Sequence, residues 1–549
     1  MPQSIFIVLT LFVPVFSILI HRLFIHPLSK VPGPKLAGVT SLWLAWHMRK
    51  GKNSVWQPGL HKKYGNVVRI APNEVLLQGK EEARSIYGAG SPYVKGPWYQ
   101  VCAAPDARLK GNDRFDLLTE MNKEQYRNQR RAIGPAYSIA GIEKHAKILD
   151  EYLDVYMQRM RGLQGQWVDL TDWIHIFALD ALSLITLGTS PGYTEKGNDG
   201  GNMVASDLHW AYFTVIGNFP RLVELTQYFP KLNNYLMMPV SLAAGLKVPV
   251  GLPIFGFAVP NIVQRMGQVE SARKAELPAD RPGFEMKTYG KEKALPTRTS
   301  DEEVSTKDDE VVKKEEDLLA SLLSDHITKT EKLPPSWVLH IALTNFGAGH
   351  DTLTITISAC IYHLVSNPEK LKRLKGELKD ADITPQTTYT ETVNRVPYTL
   401  ACSKEAMRLT PPLGIHLQRL VPASGASFSS HYLPPGTRVG INLWALHYSP
   451  SIFPDPDTFN PDRWIGDGSE ECKRKIGDMD ACWLSFGGGS RSCPGQHLAR
   501  VLTVKFLVAM FGVGGLDVEV RGTPWFKAWF SCHMGGIGVK FREPVDRGR

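Results

Sequence analysis

A single cysteine, Cys493, lies in the stretch FGGGSRSCPG, Phe486 to Gly495, with Arg491 two positions before it. A run of helical pattern, RVLTVKFLVAMF, follows. Backbone N–H groups and the positive end of a helix both favour a thiolate, the form of cysteine that ligates metals. Gly487, Gly488, Gly489 and Gly495 free the backbone to turn tightly and to approach a flat ligand. Arg491 offers a cation to an anion on such a ligand, and Phe486 a ring to its face. Taken alone, the same loop also describes a buried structural thiol. A second constellation, AGHDT at Ala348–Thr352, sets a glycine, an acid and a hydroxyl inside an apolar helical stretch. Gly349 costs about 1 kcal/mol there relative to alanine. Asp351 is expensive to bury unpaired, and the Thr352 hydroxyl can bond a carbonyl one turn back. This is either a satisfied kink or a place where a ligand meets the helix backbone. A third, Glu405-x-x-Arg408, is an i,i+3 ion pair of a kind common on helix surfaces.

Phe486-x-x-Gly489-x-Arg491-x-Cys493-x-Gly495 resembles the haem-binding signature of the cytochrome P450 superfamily. The resemblance implies that Cys493 is the axial thiolate of haem iron. AGHDT resembles the family's oxygen-activation motif, with Leu353 where threonine or serine is usual. By that likeness Asp351 and Thr352 relay protons, and Gly349 opens a groove for dioxygen. Glu405 and Arg408 are expected to join Arg463, from FNPDRW, in a buried structural triad. EQYRNQRR resembles the family's W-x-x-x-R helix, with Tyr126 in the tryptophan position and Arg130 matching. Arg130, Arg419 and Arg491 are then the cations for the haem propionates, and His416 is a weaker candidate beside them. Substrate walls by the same analogy include Phe346, Leu353, 413–417 and 531–536.

The implied protein has the mainly α, smaller β (α+β) cytochrome P450 fold and holds haem b. It takes electrons from NADPH through a reductase, with cytochrome b5 as a further partner, and oxidises an apolar small molecule. The general look, HPLSKVPGPKLAG included, is similar to fungal members that oxidise secondary metabolites. Two rivals stand beside this monooxygenase: a haem-thiolate isomerase, dehydratase or peroxide-using enzyme, and a non-catalytic membrane haem binder. The acid–alcohol pair favours the monooxygenase.

These motifs need a large core and a helical frame. The chain has 549 residues, 43% hydrophobic and 21% charged, enough to bury one without covalent staples. Net charge is +9, but the basic residues are scattered, which argues against nucleic acid. Seven widely spaced cysteines without a C-x-x-C pair argue against a disulfide framework or zinc ribbon. Residues 5–20 are apolar and uncharged, with Arg22 and Lys30 after them. That predicts an anchor over residues 1–30 in the endoplasmic reticulum membrane, a single pass with the body in the cytosol. VPGPK, 31–35, reads as a stiff hinge, and 36–549 as the catalytic domain, with a charged surface loop at 285–317. The apolar segment at 237–260 reads as a membrane contact, interrupted by Lys247 and prolines. Residues 318–378 read as helical, crossing the core. Stretches 417–422 and 437–443 read as strands, with LPPGTR as a turn.

Overall fold

Helix dominates the computed structural model, which describes residues 13–14, 16–103, 115–229, 235, 245–247, 251–276, 317–328, 333 and 335–543. Six helices carry the functional region: α1 Lys123–Ile133, α2 Leu170–Leu187, α3 Asn202–Ile216, α4 Pro335–Val365, α5 Pro397–Leu409 and α6 Gln496–Phe511. Seven strands matter beside them: β1 Val67–Ala71, β2 Glu74–Leu77, β3 Val94–Lys95, β4 Arg419–Leu420, β5 Arg438–Ile441, β6 Trp525–Ala528 and β7 Cys532–Gly535.

The helical reading of 318–378 resolves into Leu318–Thr328, α4 and Pro368–Asp380. Helix α4 starts at Pro335, where a missing N–H is harmless, and stops before Pro368. It packs lengthwise on α2, and both belong to the main apolar cluster. Asp169 caps α2, accepting from the Thr171 and Asp172 N–H groups at 2.8 and 3.1 Å, and Gly188 ends it in the left-handed conformation. Among the described residues α2 is the one helix apolar and long enough to cross a bilayer, but it is buried in the core. Near the N-terminus, the apolar helical segment Phe16–Ile25 is shorter and exposes Phe16, Phe24 and Ile25. Residues 1–12 and 15 of the expected anchor lie outside the described residues. The hinge is tied to the sheet, Pro32 accepting the Arg69 N–H at 2.7 Å.

The five-stranded sheet has the order β1-β2-β5-β4-β3. Strands β2 and β5 run parallel, and the other neighbours antiparallel. The strands read at 417–422 and 437–443 appear as β4 and β5, with Gly436 at positive φ in the turn. Strands β6 and β7 pair antiparallel, placing Lys527 opposite His533. The charged loop at 285–317 lies outside the described residues except Asp317, which pairs with Arg265 at 2.7 Å. Of the apolar stretch 237–260, the part from Pro253 onward begins the helix Pro253–Glu276.

Candidate active site

Cys493 sits two residues before Gly495, the N-cap of α6. Its N–H donates to the Phe486 carbonyl at 2.7 Å, which closes the loop. Burial raises the thiol pKa, while the Gly495 N–H, Arg130 and Lys95 act the other way. Gly489 has a φ of +55°, and a Cβ there would lie 2.5 Å from the Gly88 carbonyl oxygen. Only glycine allows this backbone to press so closely against residues 87–88.

The loop is braced from α5. Glu405 and Arg408 are fully buried and doubly bonded, at 2.9 and 2.8 Å. Arg463 reaches the same carboxylate at 2.9 Å. Trp464, unforeseen in the sequence, donates to it at 2.9 Å as well. Arg408 also donates to the carbonyls of His447, Pro456 and Thr458, so all five of its N–H groups are used. His447 in turn accepts the Leu484 N–H at 3.2 Å, at the entry to the cysteine loop. Phe486 packs edge-on against Trp483 at 5.7 Å.

A cluster of cations stands near the thiol. Tyr126 and Arg130 lie one turn apart on α1, which Asn122 caps. Arg491 lies 3.7 Å over the Tyr126 ring and donates to the Glu120 carbonyl at 2.8 Å. Arg419, on β4, donates to the Tyr99 hydroxyl at 3.2 Å. Directly opposite it in the ladder is Lys95, on β3. These two are 4% and 7% exposed. Burial, then Arg419 and Arg491, hold the Lys95 pKa well below its usual range, and Asp116 offsets this only in part. Like charges set opposite each other in a sheet destabilise it. Arg130 Nη1 is buried without a hydrogen-bond partner among the described residues. A buried excess of positive charge with an unsatisfied donor fits a dianionic ligand, as the two haem propionates are. His416 does not belong to this set, because Glu74 takes its Nε2 at 2.7 Å inside the sheet. Lys95 was missed in the sequence: it stands on a two-residue strand, in no motif.

Helix α4 leaves one stripe uncovered: Thr344 and Ala348 are exposed and Thr352 half-buried, four residues apart. The Tyr137 hydroxyl ties α4 to the α1 side through Asn345 at 2.6 Å. Thr352 donates to the Ala348 carbonyl at 2.9 Å, the back-bond expected of a threonine inside a helix. The space left by Gly349 is taken by Leu182 of α2, since a Cβ there would lie 3.0 Å from it. This glycine therefore serves helix packing. Phe346 and Leu353 are buried. Stretches 413–417 and 531–536 run side by side, joined by Leu413–Ser531 bridging and the Cys532 N–H to Pro412 carbonyl bond.

Asp351 is 3% exposed, and its Oδ1 is buried without a hydrogen-bond partner among the described residues. Its Oδ2 accepts from Ser206 and, at 2.7 Å, from Trp210 Nε1. Around Oδ1 stand His350 Nδ1 at 3.0 Å, His533 Nε2 at 3.2 Å and His175 Nε2 at 3.9 Å. Burial would raise its pKa, but His350 and His533 hold it well below the usual carboxylate range. His175 and His350 face each other at 2.9 Å. The His175–His350 separation is a hydrogen bond; a tetrahedral zinc with Zn–N of ~2.0–2.1 Å would hold its ligands about 3.3 Å apart.

The cytochrome P450 family model matches residues 291–512. Over 96% of this chain and 93% of its own length, the cytochrome P450 monooxygenase sdnT of Sordaria araneosa is 34% identical. The chain belongs to the cytochrome P450 family. This P450 is also similar to the cytochrome P450 monooxygenase cicH of Emericella nidulans, 28% identical over 87% of this chain and 86% of that one. Pisatin demethylase of Fusarium vanettenii is 27% identical over 91% and 87%. The P450 is accordingly a haem monooxygenase, an oxidoreductase that inserts one oxygen atom into a small molecule and draws electrons from a redox partner.

One prediction arises from the opposed cations. Lys95→Met should weaken haem retention, and it also takes the donor from the Leu117 and Leu118 carbonyls, which Lys95 Nζ meets at 2.9 and 2.7 Å. A charge-assisted hydrogen bond lost, about 1.5–3 kcal/mol, corresponds to about 10- to 150-fold in the haem dissociation constant. Haem transfer to apomyoglobin measures this, and unchanged transfer would remove Lys95 from the propionate set.

Proposed function

We propose that this P450 uses Cys493 as the axial ligand of haem b and Lys95, Arg130, Arg419 and Arg491 as its propionate cations, to oxidise an apolar small molecule of secondary metabolism. The observation that carries the reading is the buried cation cluster beside a thiol at a helix mouth. Bound there, haem supplies the activation of dioxygen. The protein's own groups do the rest. Cys493 is oriented by its loop and braced by the Glu405–Arg408–Arg463 triad. Tyr126 and Phe486 offer rings to the cofactor's surroundings. Thr352 presents a hydroxyl on the uncovered stripe of α4, and Asp351, held ionised beside His350 and His533, passes protons on toward that stripe. Electrons come from an NADPH-dependent reductase, with cytochrome b5 as a second donor. The N-terminal apolar segment anchors the chain once in the endoplasmic reticulum membrane, with the domain from residue 36 in the cytosol.

The deciding experiment supplies substrate, NADPH and reductase together. Product should require both, and turnover without them would favour the isomerase or peroxide-using alternative. Thr352→Ala should keep NADPH consumption while product falls by about 10-fold or more and peroxide rises, as expected when a proton-handling group is lost. Intact coupling in that variant would remove Thr352 from the relay.

A further inference from the structure

Three side chains from two packed helices bring ligand atoms together in the core. His175 of α2 offers Nε2, and His350 and Asp351 of α4 offer Nδ1 and Oδ1. Both histidines are fully buried. The separations are 2.9 Å between the nitrogens, 3.0 Å from His350 to Asp351 and 3.9 Å from His175 to Asp351. They straddle the spacing of about 3.3 Å between two ligands of a tetrahedral zinc. The protons available do not satisfy these atoms. Asp199 stands 3.0 Å from His175 Nδ1. Burial raises the Asp199 pKa, but the His175 bond and the Met203 N–H hold it down to about 2. An ionised carboxylate only accepts, so the His175 proton sits at Nδ1 and leaves Nε2 a bare lone pair. Burial lowers the His175 pKa, which disfavours a second proton on that ring. A proton on His350 Nδ1 then has two acceptors to serve. His175 takes it, and Asp351 Oδ1 is left buried without a hydrogen-bond partner among the described residues. His533 Nε2 is 3.2 Å from that oxygen, yet it too has no hydrogen-bond partner among them.

We propose that His175 Nε2, His350 Nδ1 and Asp351 Oδ1 form a binding site for a divalent transition cation, zinc by its two imidazoles and one carboxylate. The donor set suits a borderline-soft ion and lacks the oxygens that calcium or magnesium requires. Asp199 supports it as metal-bound histidines are usually supported, by a carboxylate on the other ring nitrogen. Zinc enters by opening the His175–His350 contact by about 0.4 Å, and the His350 proton moves from Nδ1 to Nε2. His533 Nδ1 contacts Asp207 of α3. Burial disfavours a charged His533 ring, but Asp351 and Asp207 raise its pKa to about 10. Zinc takes over from that charge at Oδ1, so the second ring proton leaves to solvent and no electrons move. The filled site ties α2 to α4 and occupies Oδ1, while Oδ2 keeps Ser206 and Trp210.

The test uses the full-length haem-loaded protein, stripped with a chelator and titrated with zinc alone. One zinc per chain should bind, counted by elemental analysis beside the haem iron. Absorption at the zinc edge should show imidazole nitrogen and carboxylate oxygen at ~2.0–2.1 Å. His175→Gln should reduce zinc to background, and Asp199→Asn should weaken binding by about 10- to 100-fold. Zinc should raise the unfolding temperature of the parent and not that of His175→Gln. A parent that binds no zinc, or variants that bind it like the parent, would overturn the site. Should His175→Gln not fold, Asp199→Asn, on the rim of the cluster, carries the test. Zinc on Oδ1 should also slow turnover as the site fills, a consequence that rests on the reading of Asp351 as a proton-passing group. His175→Gln controls there for zinc acting on the reductase. Zinc that binds the parent without slowing turnover overturns that reading of Asp351 and supports the site.

Discussion

Cys493→Ser is expected to abolish the thiolate signature in the reduced carbon-monoxide spectrum and to reduce turnover to background. Serine fits the same space, so the loop and its Phe486 bond survive. What changes is the electronics: a serine hydroxyl does not ionise in this range, whereas a thiol is deprotonated outright when it coordinates a metal. The cations Lys95, Arg130, Arg419 and Arg491 remain, so some haem should still bind. Haem content by pyridine haemochromogen together with the carbon-monoxide spectrum separates the two contributions. A retained thiolate band would overturn the assignment of Cys493.

Glu405→Ala should be the most destabilising single change outside the cysteine loop. It leaves Arg408, fully buried, and Arg463 without their carboxylate. An uncompensated buried charge costs about 3–5 kcal/mol, against a total stability of about 5–15 kcal/mol for a typical fold. The damage should spread through His447 and Leu484 to the thiol loop, so haem content should fall together with the unfolding temperature. Replacing the pair by apolar residues would not restore the protein, because Arg408 also satisfies three backbone carbonyls. Normal haem content and unfolding temperature in Glu405→Ala would show that the triad does not brace the loop.

What could be read from the sequence was local. The cysteine loop, AGHDT and E-x-x-R are short patterns whose residues stay neighbours after folding, so their types and spacing survive as chemistry. The long core helix was legible because proline punctuates both of its ends. Lys95 was invisible because its meaning lies in the register of β3 against β4, far along the chain. The same holds for His533 and Asp207, far apart along the chain and in contact only in the folded protein. Two readings of single residues changed for reasons of packing. His416 is drawn to the buried Glu74, whose Oε1 its Nε2 meets at 2.7 Å, and Gly349 accommodates a leucine from α2. Composition alone also marks α2 as membrane-like, although α4 covers it.

The opposition of Lys95 and Arg419 across β3 and β4 has a consequence for how the protein comes to be made. Without an anionic ligand, the Lys95 ammonium is met by the Leu117 and Leu118 carbonyls, and the neighbouring Arg419 charge still opposes it. A group that binds the folded chain and not the unfolded one draws folding forward by mass action. By the proposed assignment of Lys95 and Arg419 to the propionates, haem supply should set how much of this polypeptide survives as enzyme, and the ligand that will do the chemistry should first act as a folding partner.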